Sequence, residues 1–347
     1  MRLRTGLRVL WRSRDEVQIG TDPRWAIRLT GLSAGEIDLL TALEEGIASR
    51  GLAAVARSLA VPPDRLDTLL AALDEAQLIC LDGPGLRPAP TPALPPGGTP
   101  DAATWTRLLH DGDGAGLVAA RADRTVGLLG AGRIGLCLAV TLAAAGVGTL
   151  LVEDDLVVTP SDLGVGGYTA RDLGTARRTA AARVLRDVAP DASTMAPEGT
   201  RPDVMVLVEH GAADALRARV LMSAGVVHLS VVVREADVVV GPLVRPGSSA
   251  CLRCLDLHRT DADERWPAIA TQLASSTPAR GAGEESLLAA IAGSLAAGQV
   301  LAELDGTLPR TLGASFEVGL PDAVPRVRDW PVHPRCGCTG LPPSGGG

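Results

Sequence analysis

Hydrophobic and polar positions fall into two regimes along the chain. Up to residue 82 the apolar runs are short. Leu7 to Trp11, Val17 to Gly20 and Ala26 to Leu29 alternate as three small antiparallel strands. Helical spacing follows. Ser33 with Glu36 three residues on is a capping-box spacing, and Leu39, Leu40 and Leu43 form the apolar stripe behind it. Gly51 to Ala60 predicts a second, short helix. Pro63-Asp64 opens a third, along Leu66, Leu69, Leu70, Leu73 and Leu78. Strands followed by three helices within residues 1–82 are the elements of a winged-helix domain.

Residues 83–103, GPGLRPAPTPALPPGGTPDAA, read as a semi-rigid linker, because proline fixes the backbone and supplies no amide donor. Beyond it, residues 104–341 have an α/β pattern. A buried strand at Thr125–Leu129 leads into an apolar helix ending at Ala145, and a second strand covers Thr149–Val152. Then come a helix within Gly174–Val188, a strand at Asp203–Val208 and a helix at Ala212–Ala224. Hairpin-like strands at Val226–Val233 and Asp237–Val244, a long apolar helix at Ser286–Leu304 and a last strand at Leu312–Val318 complete the series. Residues 342–347 are expected to fray. No stretch reaches the roughly 18 uninterrupted apolar residues of a membrane span. The arginine-studded N-terminus lacks the apolar core of a secretory signal, so a cytoplasmic protein without a membrane partner is expected.

The first strand of the α/β region runs into Gly130-Ala-Gly132-Arg133-Ile-Gly135, and the second ends at Glu153, Asp154 and Asp155. This is the order of a Rossmann-type dinucleotide fold. The glycines allow a tight turn and close phosphate approach, the helix N-terminus attracts anions, and an acid about 20 residues on can hold a ribose. The same glycines would also serve tight strand–helix packing alone.

Composition narrows the chemistry. The chain has 347 residues, a net charge of −7, and 33 basic residues that are all arginine. Schiff-base, P-loop-lysine and lysine-base mechanisms are therefore excluded. With no lysine and only Tyr168, a nicotinamide oxidoreductase is poorly supported. Residues 1–90 carry 11 Arg against 12 acids, and the third helix presents Asp64, Asp67, Asp74 and Glu75 against Arg65. A phosphate backbone would be repelled, so no nucleic-acid partner is expected. Pairing of an exposed strand with an extended peptide needs backbone groups rather than positive charge.

Cys251-Leu-Arg-Cys254 and Cys336-Gly-Cys338 are two short cysteine pairs, a four-cysteine zinc pattern. Four thiolates leave no position for water, so such a zinc would be structural. Gly337 is expected to relieve the strain of the Cys-x-Cys chelate. His333 is an alternative ligand but reads as a surface histidine, and disulfides compete with the metal reading. Cys80 and Cys137 read as buried small hydrophobes.

These motifs, with Ser161-Asp162-Leu163, resemble the ubiquitin-activating, ThiF/MoeB-like superfamily. Cys251-Leu-Arg-Cys-Leu-Asp-Leu-His-Arg259 with Trp266, and the ending His333-Pro-Arg-Cys-Gly-Cys338, are similar to the cyclodehydratase partner proteins of azole-containing ribosomal peptide pathways. The resemblance implies a winged-helix element that binds a precursor peptide or small protein, a zinc-stapled ThiF-like domain, a YcaO-type partner enzyme and a homodimer. Adenylating members use ATP and magnesium on a C-terminal carboxylate. For that chemistry the resemblance puts Gly130, Gly132, Arg133 and Gly135 on the nucleotide, Glu153 or Asp155 in the ribose-acid region, and Arg177 at the phosphate lysine. The metal-associated acid aligns near Glu209-His210. Two positions depart from the family pattern: Asp162 replaces an asparagine and Val165 a phosphate-binding arginine. Both changes disfavour ATP. No cysteine lies between Cys254 and Cys336, which argues against thioester transfer. A scaffold for a YcaO-type cyclodehydratase is the leading expectation. An active adenylyltransferase, with Arg133 and Arg177 on phosphates and Glu153, Asp155 or Glu209 for magnesium, is the alternative.

Overall fold

A computed structural model describes residues 1–4, 6–23, 26–80, 92–109, 111–275 and 283–340. Residues 83–91 of the expected linker and the expected tail at 342–347 lie outside them. The chain forms two compact units, Met1–Ala119 and Ala120–Gly347.

In the first unit β1 (Arg2–Leu3) precedes an antiparallel meander of β2 (Val9–Trp11), β3 (Glu16–Ile19) and β4 (Ile27–Thr30), with β3 central. Alternation turns Val17 and Ile19 into the core and leaves Trp11 exposed. The expected capping box forms at α1 (Ala34–Glu45): Glu36 N donates to the Ser33 hydroxyl, and Ser33 N donates to the Glu36 carboxylate. Ile37, Leu39, Leu40 and Leu43 of α1 share one core with Leu52 and Ala56 of α2 (Leu52–Ser58) and with Leu66, Leu69 and Leu73 of α3 (Pro63–Glu75). Leu78 lies beyond α3 rather than on its stripe. Gln77 takes the left-handed backbone at φ 57°, and Leu78 N donates back to Leu73 O, a Schellman-type stop. Leu78 is buried on the way into β5 (Ile79–Cys80), which pairs with β1. Two further helices were not expected. The first turns of α4 (Gly98–Leu108) replace the end of the expected linker, with Pro100 in the first turn, where a missing amide is tolerated. Helix α5 (Gly114–Ala120) follows.

In the second unit β6 (Thr125–Leu129), α6 (Arg133–Ala144), β7 (Thr149–Glu153), α7 (Arg177–Val188), β8 (Val204–His210), α8 (Ala215–Ser223) and β9 (His228–Val233) make a parallel series. Strand β10 (Asp237–Val244) turns back antiparallel. It is followed by α9 (Leu252–Ala262), α10 (Trp266–Ser275), α11 (Ser286–Leu304), β11 (Ala314–Gly319) and β12 (Arg326–Asp329). The sheet order is β12-β11-β10-β9-β8-β6-β7. Strand β12 was not expected from its sequence, because Arg-Val-Arg-Asp is an exposed edge with no buried face to impose alternation.

Helix α11 holds no uninterrupted apolar run of span length, since Ser294, Gln299 and Glu303 break it. It has 19 residues and is apolar enough to cross a membrane by length and composition alone. Here its Ala289, Ala292, Gly293, Ala296 and Ala297 are buried against α6 and the sheet, as in a core helix. A Cβ at Gly293 would come within 3.0 Å of Cys137, so small residues set this close packing.

Candidate functional site

The four clustered cysteines converge although Cys254 and Cys336 lie 82 positions apart. Cys251 is the N-cap residue of α9, Cys254 lies in its first turn, Cys336 precedes a short helical turn at Gly337–Gly340, and Cys338 lies within that turn. Sγ–Sγ distances are 4.0 Å for Cys251–Cys254, 3.7 Å for Cys251–Cys336 and 3.5 Å for Cys254–Cys338. All four are buried and none is in a disulfide. Tetrahedral zinc with Zn–S bonds near 2.3 Å requires sulfurs roughly 3.8 Å apart, so donor type, number and spacing fit that ion. Burial, then the charges of Cys254 and Cys336, push the Cys251 thiol up to about 11, so ligation there must displace a proton.

Two expectations about this region are corrected. Gly337 does not adopt a left-handed backbone, and a Cβ there would meet nothing within 4 Å. The short turn is open to any residue. His333 is neither a surface group nor a ligand. It is 3% exposed, its Nε2 sits 2.8 Å from an Asp261 carboxylate oxygen, and its Nδ1 accepts from Arg335 N. It braces the loop whose carbonyl at His333 receives Cys336 N. Cys80 and Cys137 are half-buried rather than buried.

The second candidate site is a cavity of about 460 Å³ at the C-terminal ends of β6, β7 and β8, the usual ligand position in an open parallel sheet. The glycine motif lies along it. Gly130 takes φ 87°, and a Cβ there would strike Val208 O at 2.5 Å. A Cβ at Gly135 would strike Gly130 O at 2.0 Å, so this glycine serves strand–helix packing. At Gly132 the same test meets the Glu284 carboxylate at 2.5 Å.

The cavity wall holds six carboxylates (Glu153, Asp154, Asp162, Glu209, Asp214 and Glu284) against the guanidiniums of Arg133, Arg177 and Arg217. Arg177 donates to Asp162 at 2.6 Å and to Asp154 at 3.2 Å, and both carboxylates are nearly fully buried. Burial alone would lower the Arg177 pKa. The Asp162 hydrogen bond and the charges of Asp162 and Asp154 reverse this, and the net shift is upward. Asp154 also accepts from Ala131 N at 2.7 Å, and Asp162 from Thr159 N. Arg133 donates to Leu163 O, Glu284 O and the Ser286 hydroxyl. Arg217 is hydrogen-bonded to Glu209, whose pKa burial still raises. Val165, at the expected phosphate-arginine position, packs against the core.

A family model for the ThiF family matches residues 114–336. The chain belongs to the ThiF family. Its fold is shared beyond the matched region. Superposition on E. coli MccB solved with ATP gives a TM-score of 0.71 at 15% identity, covering 98% of this chain and 99% of that one. The microcin C7 biosynthetic enzyme MccB in complex with N-formylated MccA gives 0.69 at 15% identity, covering 98% and 99%. PaaA gives 0.66 at 14% identity, covering 93% and 98%. Comparison with curated proteins returned no match.

Within this ThiF fold, Gly130, Gly132, Arg133, Glu153 and Arg177 line the cavity. Gly135 lies behind it. Asp155 does not line it, and Glu153 is exposed. The acid turned into the glycine loop is Asp154, whose side chain is 5% exposed. Period-2 alternation carried the signal, since Leu150, Val152 and Asp154 share one parity and the first two are core residues. Glu209 and His210 reach the cavity, with His210 Nε2 3.3 Å from Glu284. Glu284 was missed altogether.

Proposed function

We propose that this ThiF-family protein captures a precursor peptide and presents it to a separate ATP-using enzyme of the YcaO type, without adenylating the peptide itself. The observation that carries this reading is the state of Arg177. The cation that would meet a phosphate is held between two buried carboxylates, one of them the Asp162 that replaces an asparagine in the family pattern. A triphosphate would have to displace both in a cavity where acids outnumber cations. The neighbours solved with ATP and with MccA support a peptide partner and leave adenylation as the second reading. That reading rests on the intact glycine motif.

Residues 1–82 serve as the winged-helix recognition element, with β4 as the receiving edge. Hydrogen bonds Gly20 N to Arg8 O and Arg12 N to Glu16 O flank the β2–β3 pair, so the backbone N–H and C=O groups of Val17 and Ile19 face β4 while their side chains stay in the core. Their partners there are Leu29 and Ile27, which leaves the amides of Arg28 and Thr30 facing away from the sheet. The outer side of β2 is partly closed, because Val9 N donates to Glu44. A peptide strand can add to β4 by backbone bonds alone. Zinc on the four cysteines is structural in this account.

Calorimetry with the full-length protein tests it, titrating candidate precursor peptides translated from the short reading frames that flank its gene. Saturable binding is expected, weakened at least about tenfold by Arg28→Pro, which removes an outward amide while sparing the β3 ladder. No binding, or binding indifferent to Arg28→Pro, would sink the β4 assignment.

A further inference from the structure

Helix α6 begins at Arg133 behind Gly132, which has no side chain to cap it. Its first turn therefore presents amide donors to the cavity, and in this fold such a turn is where a ligand's phosphate is received. Here the position is already taken. The Glu284 carboxylate, 150 residues away in sequence, accepts from Ile134 N at 2.5 Å. Its side chain is 6% exposed, and its other oxygen lies 3.3 Å from His210 Nε2.

The seat is built rather than incidental. Arg133 Nη1 donates to Glu284 O at 3.0 Å and to the Ser286 hydroxyl at 3.1 Å, fixing the backbone on both sides. Neighbouring Glu285 caps α11 through Leu287 N and Leu288 N, so the two acids point into different helices. Gly132 supplies the clearance, since a Cβ there would lie 2.5–3.0 Å from the Glu284 carboxylate atoms.

We propose that Glu284 is the specificity-determining residue of the glycine-loop cavity: its carboxylate occupies the anion seat of α6 and bars polyphosphate ligands. The proposal deepens the non-adenylating reading and rests on it. A phosphate entering this seat would lose the Ile134 amide to Glu284 or expel a buried carboxylate toward Asp154 and Asp162.

The test is calorimetry on the full-length, zinc-loaded protein with magnesium ATP and with pyrophosphate. Wild type is compared with Glu284→Gln and Glu284→Ala. Glutamine keeps size and an acceptor for Ile134 N, and alanine empties the seat. No saturable binding is expected for wild type. Both variants should gain affinity of at least roughly tenfold for the two phosphate ligands, with the response to adenosine unchanged. As a second readout, Gly132→Ala should lower the melting temperature of wild type and have a smaller effect in the Glu284→Ala background. The proposal is overturned if wild type binds ATP as tightly as the variants, or if none of the three binds pyrophosphate. The latter result would leave the scaffold reading standing. Failure of that reading would show separately, as ATP–pyrophosphate exchange by wild type.

Discussion

At the cysteine cluster, four sulfurs lie within 4.8 Å of one another, three of the pairs at 3.5–4.0 Å, with no cation side chain among them. At the glycine loop every cationic side chain on the wall already has an internal oxygen partner, and the helix amide at Ile134 has Glu284. Both places bring together residues remote in sequence, but one is a set of four donors that could hold a metal ion, and the other pairs its own charges. Buried thiols gain a charged partner only when a metal displaces their protons. A guanidinium between two carboxylates is complete without a ligand. A recognisable motif thus says little about occupancy until the partners of its charged groups are known.

The difference can be broken most forcefully at the cysteines. Cys251→Ser/Cys338→Ser should reduce zinc from about one equivalent per chain to none by metal analysis. The melting transition should collapse with it, because metal binding at a structural site is folding energy. Retained zinc and an unchanged melting curve would contradict the assignment. A smaller effect is expected at the glycine loop. Arg177→Ala leaves Asp154 and Asp162 buried without their cation and should cost about 2–4 kcal/mol in urea unfolding, the behaviour of a structural ion pair. An unchanged midpoint would mean that Arg177 is free for a ligand.

Much of this was legible in the sequence, for reasons that differ from element to element. The strand at Thr125–Leu129 and the helix at Ser286–Leu304 have the bounds that periodicity predicts, because each is buried along a continuous face. The Ser33 capping box is a local rule and forms as written. The cysteine pairs were readable by spacing alone. Illegible features depend on tertiary partners. Nothing local marks Glu284 as the cap of a helix 150 residues earlier. Nothing in Arg326–Asp329 announces a strand, since only its pairing with β11 creates it. His333 looked like a surface group until Asp261 closed over it. Asp154 was readable in principle, by carrying the alternation of β7 one residue past its end.

Recognition of a peptide without its activation is decided by ATP–pyrophosphate exchange, measured on the full-length, zinc-loaded protein with and without a bound candidate peptide. No exchange above background is expected under either condition. Exchange that depends on the peptide and is abolished by Arg177→Ala would contradict it and establish an adenylyltransferase.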